Sequence, residues 1–255
     1  MSDTFSVADK VVVITGGGQG IGRSFAKAFA SGGARVVIAE RNVDKALDVE
    51  REIAAGNGHA TVVETDVADE TSVKRLGLSV EQMFGRADVL INNAAIFSTL
   101  EMRPFDQIPL AEWERVLRVN ITGPFLCAQA MVPLMRKNKW GRIINMASGA
   151  VTLGRPNYLH YIASKAALAG MTHSMARELG PDGITVNAIL PGATYTEIPR
   201  KTVTPEQKER IIAMQSIPRA QVPDDLLGVA LFLASDASAF MTGQEITVDG
   251  GATHP

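Results

Sequence analysis

Apolar and polar positions fall along this chain in two kinds of run that take turns. Lys10-Val11-Val12-Val13-Ile14-Thr15 is short, β-branched and almost wholly apolar, the pattern of a strand buried on both faces. It stops at Gly16-Gly17-Gly18-Gln19-Gly20-Ile21-Gly22, after which Phe25, Ala26, Ala28 and Phe29 recur at helical spacing until Gly32-Gly33. Arg35 to Ala39 predicts a second strand, Val43 to Ala55 an amphipathic helix, and Ala60 to Thr65 a third strand. Glu70 to Phe84 predicts a helix and Ala87 to Ala95 a strand. From Pro109 to Met135 the pattern is helical, with Trp113, Val116, Leu117 and Val119 spaced for burial. Trp140 to Ser148 and Ile184 to Leu190 read as strands, separated by a helix opening near Asn157. Between Thr194 and Pro223 the periodicity weakens and prolines recur, so 194–223 is expected to be an irregular substrate-binding lid. Leu226 to Ala234 is an almost continuously apolar helix, and Glu245 to Gly251 closes the chain. Regular alternation without a linker or repeat predicts one doubly wound α/β domain over residues 1–255, a central parallel sheet flanked by helices. Ligands then collect at the carboxyl ends of the strands.

Composition narrows the function classes. Of 255 residues 46% are hydrophobic and 20% charged, with a net charge of −2, so a sizeable core is expected. No basic block invites nucleic acid, and no apolar run reaches the roughly 18–20 residues that span a bilayer. The start of the chain lacks the positive and apolar regions of a secretory signal, so a cytoplasmic location is expected. The one cysteine, Cys127, lies in an apolar helical pattern and is expected to pack in the core; zinc-ligand spacing is absent, and no metal is expected.

The glycine turn carries the first candidate chemistry. It joins a strand to a helix N-terminus, where backbone N–H groups and the helix dipole favour a pyrophosphate, as in Rossmann-like domains. Its spacing is Thr15-Gly16-x-x-x-Gly20-x-Gly22, with Gln19 and Ile21 inside the turn, and not G-x-G-x-x-G. A rival reading, Gly17-x-x-x-x-Gly22-Arg23-Ser24, is one residue from a P-loop but lacks the lysine that reaches the phosphates. Glu40 stands 18 residues after Gly22, at the end of the second strand. Its carboxylate suits a ribose 2′-hydroxyl and repels a 2′-phosphate, which favours NAD; Arg41 beside it pulls toward NADP. We weight Glu40 more because it stands directly at the strand end. Asp66 and Asn92 also fall at strand ends, where ligand contact and a turn or cap are both open.

The second candidate is a pair. On a helix Tyr161 and Lys165 are i and i+4, so phenol and ammonium share a face. A phenol titrates near about 10, and a neighbouring cation favours its phenolate, which makes Tyr161 a possible proton carrier. Ser148 ends a strand 13 residues before Tyr161. In Asn120-Ile121-Thr122-Gly123-Pro124 the proline has no N–H, so the Asn120 carbonyl loses its i+4 donor, which is either a kink or a water site.

Together these motifs resemble the short-chain dehydrogenase/reductase family over essentially the whole chain. The resemblance rests on the glycine turn, Asp66-Val67, Asn92-Asn93-Ala94-Ala95, Asn120, Ser148, Tyr161-x-x-x-Lys165, Pro191-Gly192 and Val248-Asp249-Gly250-Gly251. Ala95 departs from it, since a glycine is usual there. The stretch Trp140 to Leu168 and the Asp249-Gly-Gly ending look similar to bacterial members that oxidise secondary alcohols, 1-phenylethanol among them. The resemblance implies that Tyr161 is the general acid/base and that Lys165 favours its phenolate and holds the nicotinamide ribose. It implies that Ser148 donates to the substrate oxygen and that Asn120 holds a water through its main-chain carbonyl. Asp66 and Val67 would face adenine, and Asn93, with Ala94 and Ala95, the adenosine ribose region. Pro191 and Gly192 would border the nicotinamide, with Thr194 and Thr196 meeting its carboxamide. Substrate contacts are expected from Ala150, Val151, Tyr158 and 195–215, beginning at Tyr195 and including Ile198, Ile211, Ile212 and Met214. Arg200 and Lys201 are either a solvated face or a greeting for an anionic substrate.

The leading expectation is an NAD-dependent oxidoreductase acting on a small-molecule secondary alcohol or ketone. An NADPH-dependent ketone or 3-oxoacyl reductase is the neighbouring alternative, and a catalytically silent dinucleotide-binding redox sensor is the alternative of another class. The apolar C-terminal helix and the Val248–Gly251 tail suggest a subunit interface, and the resemblance implies a homotetramer.

Overall fold

A computed structural model of the chain describes residues 4–199 and 204–254. The elements run β1 (Val11–Thr15), α1 (Gly20–Ser31), β2 (Arg35–Glu40), α2 (Val43–Ala55), β3 (His59–Glu64), α3 (Glu70–Phe84) and β4 (Val89–Asn92). There follow α4 (Leu110–Leu117), α5 (Gly123–Lys137), β5 (Gly141–Met146), α6 (Leu159–Leu179), β6 (Ile184–Pro191), α7 (Pro205–Ala213), α8 (Leu227–Ala234) and β7 (Glu245–Val248). Among the described residues seven strands form one sheet in the order β3-β2-β1-β4-β5-β6-β7, every pairing parallel.

Successive residues of each strand serve opposite faces, as the period of two requires. Val12 and Ile14 of β1, with Val36 and Ile38 of β2, pack against Phe25 and Phe29 of α1, Val49 of α2 and Leu233 of α8. Val11, Val13 and Val37 face the other way, against Leu76 of α3, Met131 and Met135 of α5 and Leu179 of α6. Both faces being covered, β1, β5 and β6 are buried along their whole length. The core also takes Cys127, and burial pushes its thiol up to about 12, which removes it from chemistry at neutral pH.

The sheet grows from β1 outward to β3, then the chain returns to lay β4 on the free side of β1. Neighbouring connections diverge at that point and leave a crevice at the carboxyl ends of β1 and β4.

Three segments depart from the sequence pattern. The helix expected over Pro109–Met135 is divided: a π turn, Arg118–Thr122, separates α4 from α5, with Gly123 N–H donating to the Arg118 carbonyl. Pro124 breaks the i→i+4 ladder there, and one extra residue is absorbed. The 194–223 segment is not irregular throughout but contains α7. Thr204 and Gln207 form a reciprocal capping box and Pro205 takes the first turn, so a largely polar stretch is held helical from its N-terminus. Arg200 and Lys201 lie outside the described residues. The last helix begins at Leu227, after a 3₁₀ turn, Pro223–Leu226.

Candidate active site

The glycine turn is clamped to the end of β4 by Thr15 and Asn93. Thr15 Oγ1 accepts from the N–H groups of Asn93 (3.0 Å) and Ala94 (3.1 Å), and donates to the Ile91 carbonyl at 3.3 Å. Asn93 Nδ2 donates to the carbonyls of Thr15 and Gly16, each at 3.0 Å. Two glycines are dictated by this packing. Gly16 has φ +66°, and a Cβ on it would lie 2.9 Å from Ala94 Cα; a Cβ on Gly22 would lie 2.1 Å from the Gly16 carbonyl oxygen. Thr15, Gly16 and Gly22 therefore shape the turn that presents the α1 N-terminus.

At the end of β2, Glu40 is fixed by two backbone donors. Its Oε1 accepts from Asn42 N–H at 2.9 Å and its Oε2 from Gly18 N–H at 3.3 Å. Arg41 is exposed beside it, and Lys45 donates to Gln19 Oε1. Asp66 Oδ1 accepts from Ala68 N–H at 2.9 Å, so it does turn work while its side bounds the crevice. Asn92 is elsewhere: its Nδ2 donates to Asn145 Oδ1 at 2.9 Å inside the sheet.

On the other side of β4, Ser148 follows β5 and Tyr161 and Lys165 stand on the first turns of α6, all three buried. Ser148 Oγ accepts from Ala150 N–H at 3.2 Å. Lys165 Nζ donates to the Met146 carbonyl at 2.6 Å and sits 5.8 Å from the centroid of the Tyr161 ring. Burial pulls the Lys165 ammonium down to about 8. The Phe97 ring lies against Tyr161 with centroids 4.5 Å apart. Asn120, in the π turn, accepts from Ile96 N–H at 2.8 Å and donates to Ser164 Oγ at 3.0 Å; that hydroxyl donates to the Tyr161 carbonyl at 2.7 Å. Its side chain thus ties the loop after β4 to the first turn of α6.

One cavity of about 700 Å³ joins these groups. Gly16, Gln19, Ile21, Glu40, Arg41, Asp66, Val67, Asn93, Ala94 and Ala95 line one part of it. Ser148, Ala150, Tyr161, Lys165, Pro191, Gly192, Thr194 and Thr196 line the rest. Thr15, Gly20, Gly22 and Asn120 are not among the lining residues. Tyr158 and Tyr195, expected at the substrate, do not line the cavity, and neither do Val151 and Ile212. Tyr158 is buried beneath Phe97, ring centroids 5.8 Å apart. Ala95 is exposed on the wall.

Pattern reading missed Ile96, Phe97 and Met102, which line the cavity from the loop after β4, and Leu153, Arg155 and Pro156 from the loop after β5. Their one available signal was position, directly after strand carboxyl ends. It also missed Glu197, whose Oε1 accepts from Gly20 N–H at 2.8 Å, while Ile198 Cδ1 closes over the Gly20 Cα, 2.9 Å from where a Cβ would stand. Among the described residues no cluster of His, Cys, Asp and Glu could hold a metal, and no helix is long and apolar enough to cross a membrane.

A family model described as enoyl-(acyl carrier protein) reductase matches residues 16–253. A 3-oxoacyl-[acyl-carrier-protein] reductase of Synechocystis sp. is 39% identical over 95% of this chain and 96% of its own. The chain belongs to the short-chain dehydrogenase/reductase family, and it has that family's α/β domain. A 7α-hydroxysteroid dehydrogenase solved with NADH and 7-oxo glycochenodeoxycholic acid superposes with a TM-score of 0.93 at 35% identity, covering 98% of this chain and 97% of the other. A protein of Beutenbergia cavernae described as an NAD(P)-dependent gluconate 5-dehydrogenase, with NADP at low occupancy, gives 0.91 at 35% identity, covering 98% of each. The chain is an oxidoreductase of this family, one that uses NAD or NADP.

Proposed function

We propose that this short-chain dehydrogenase/reductase interconverts a secondary alcohol and its ketone with NAD, Tyr161 carrying the proton. The observation that carries the reading is that Ser148, Tyr161 and Lys165 open into the same cavity as the glycine turn and Glu40. The residues fit a dinucleotide. The α1 N-terminus offers N–H groups to a pyrophosphate, the fixed Glu40 carboxylate suits ribose hydroxyls, and Asp66, Val67, Asn93, Ala94 and Ala95 give the adenosine part its wall. Thr194 and Thr196 border the place for the carboxamide. A bound nicotinamide supplies or accepts the hydride; the chain's own residues do the rest.

Ser148 Oγ already accepts the Ala150 N–H, so its own proton remains to donate to the substrate oxygen, where negative charge builds. Tyr161 Oη gives its proton to that oxygen in reduction and takes it in oxidation. A protonated Lys165 beside the ring favours the phenolate, and with its folded value about 8 the cation is present through neutral pH. Phe97 covers one face of Tyr161 and limits water there. Asn120 positions Tyr161 through Ser164, and its main-chain carbonyl is the proposed water holder.

The carboxylate of Glu40, oriented by two backbone donors, supports NAD over NADP, with Arg41 opposing. Fluorescence titration with NADH and NADPH tests this: tighter NADH is expected, and tighter NADPH favours a ketone or 3-oxoacyl reductase, as in the Synechocystis relative. Binding of neither contradicts the nicotinamide site proposed here. The substrate wall of Ile96, Phe97, Met102 and Ile211 supports aryl and other apolar secondary alcohols, 1-phenylethanol among them. The segment 194–223 acts as the substrate lid of a single domain, and the chain works in the cytoplasm.

A homotetramer belongs to the same proposal. Strand β7 is a sheet edge with Ile246 and Val248 only half-buried, and Phe240 is fully exposed between α8 and β7. Sizing coupled to light scattering is expected to give four times the mass of the chain; a monomer overturns it.

A further inference from the structure

The sheet order divides the cavity into two wings. Glu40 and Asp66 lie at the carboxyl ends of β2 and β3 on one side of β1, whereas Ser148, Pro191 and Asp249 lie at those of β5, β6 and β7 on the other. In this second wing Asp249 is the one carboxylate among the described lining residues, and its charge is engaged. Its Oδ1 accepts from the N–H groups of Gly251 (2.9 Å) and Ala252 (3.2 Å), and its Oδ2 from Thr253 N–H (2.9 Å) and Oγ1 (2.7 Å).

Two guanidinium groups face no such partner. Arg155, half-buried, stacks over the Tyr158 ring at 5.0 Å and pairs with no carboxylate among the described residues. Arg210 stands on the face of α7 that lines the cavity, with Gln207, Ile211 and Met214 at helical spacing, and it too has no ion pair there. The other described arginines of these wall segments are paired. Arg103 meets Glu101 at 2.7 Å, and Arg219 holds Asp225 through both nitrogens. Near Arg155 and Arg210 the rim carries apolar side chains as well, with Leu153 and Met214 each about half exposed.

We infer that the substrate carries a carboxylate or phosphate at the end remote from its reacting carbon, and that Arg155 and Arg210 bind it across the cavity mouth. The inference rests on the alcohol/ketone reading of this site and names its substrate class: an amphipathic ketone or alcohol with an apolar body and an oxyanion. A planar guanidinium matches carboxylate and phosphate alike, and the Tyr158 ring beneath Arg155, 5.0 Å from its Cζ, supports the guanidinium without using its N–H donors. Arg155 is on the loop after β5 and Arg210 on α7, so the anion would be held from two separate segments of the wall.

The test compares 4-acetylbenzoate, 4-acetylphenyl phosphate and methyl 4-acetylbenzoate, with analogues bearing longer arms to the same three end groups. Binding to the NADH-saturated protein is read by calorimetry, and reduction by the loss of NADH absorbance. One anion series is expected to bind at least about tenfold tighter than the ester series. Arg155→Met and Arg210→Met each abolish that margin through KM and leave the ester unchanged, and added salt narrows it in the wild type. The series that binds tighter separates carboxylate from phosphate. Equal binding of ester and anions, or variants that keep the margin, overturns the inference and leaves the oxidoreductase reading standing. Reduction of none of the ketones, with the binding margin intact, counts against the reading and not against the anion site.

Discussion

The backbone N–H of Gly20 donates to Oε1 of Glu197 at 2.8 Å, although the two residues lie 177 positions apart. Gly20 opens α1, so a carboxylate from the segment after β6 occupies the helix N-terminus at the place suited to a pyrophosphate. Thr196 Oγ1 accepts from Ile198 N–H at 3.2 Å, and Ile198 covers Gly20, which holds the carboxylate there. On the proposed reading, Glu197 and the pyrophosphate of a dinucleotide would compete for this one donor.

Glu197→Gln is therefore expected to tighten NADH binding by about fivefold, because a neutral amide caps the helix more weakly than a carboxylate. Fluorescence titration reads it directly. Unchanged or weaker binding in the variant contradicts the competition.

Lys165 is held in the fold at the expense of stability. Its pKa falls from about 10.4 in an unfolded chain to about 8 in the folded protein. The unfolded chain thus binds more protons between those values, and stability rises with pH through that window. Below pH 8 the full penalty of the buried charge is present. Lys165→Met removes the titration, so its stability relative to wild type is expected to fall by about 3 kcal/mol from pH 7 to pH 10.5. Urea denaturation at several pH values measures the difference. A constant difference across the window means the ammonium is not desolvated.

Gly22 admits no side chain, since a Cβ would stand 2.1 Å from the Gly16 oxygen and 2.5 Å from Asn93 Nδ2. Gly22→Ala is expected to lose roughly 1–3 kcal/mol as the turn shifts away from β4. It should also weaken NADH binding. A variant with the wild-type denaturation midpoint would show that α1 packs more loosely than these distances state.

Glu40→Ala removes the acceptor at the end of β2 and leaves Arg41 beside it. The ratio of kcat/KM for NAD over NADP is expected to drop by about tenfold or more. If that ratio stays at its wild-type value, Glu40 does not set the preference.

Local rules made much of this fold legible. α2 and α3 begin and end where the apolar period places them, because Asn42 and Asp69 cap their N-termini and Gly56 and Gly85 follow their last turns. The two-sided burial of β1 was written in its unbroken valines. α7 escaped because its residues are mostly polar and its apolar stripe is short, yet Thr204-Pro205-Glu206-Gln207 carried a capping box that a search for caps alone would find. The glycine turn was legible at its strand-to-helix junction, whereas Ser148, Tyr161 and Lys165 stood out through the family resemblance; all of them border one cavity. Phe97 against Tyr161, Asn120 reaching Ser164, and Glu197 on Gly20 depend on contacts between distant segments, and no local period encodes them. Tyr158 misled for the same reason: one residue before α6 it is a plausible wall, but packing turns it under Phe97.

The proton-carrying role of Tyr161 is the central claim, and comparing wild type with Tyr161→Phe tests it most directly. Each is supplied with NAD and 1-phenylethanol, and NADH formation is followed alongside a separate NADH titration. A loss of at least about 10²-fold in kcat is expected with NADH affinity essentially unchanged, since only the phenolic oxygen is removed. A variant that oxidises the alcohol at the wild-type rate would contradict it.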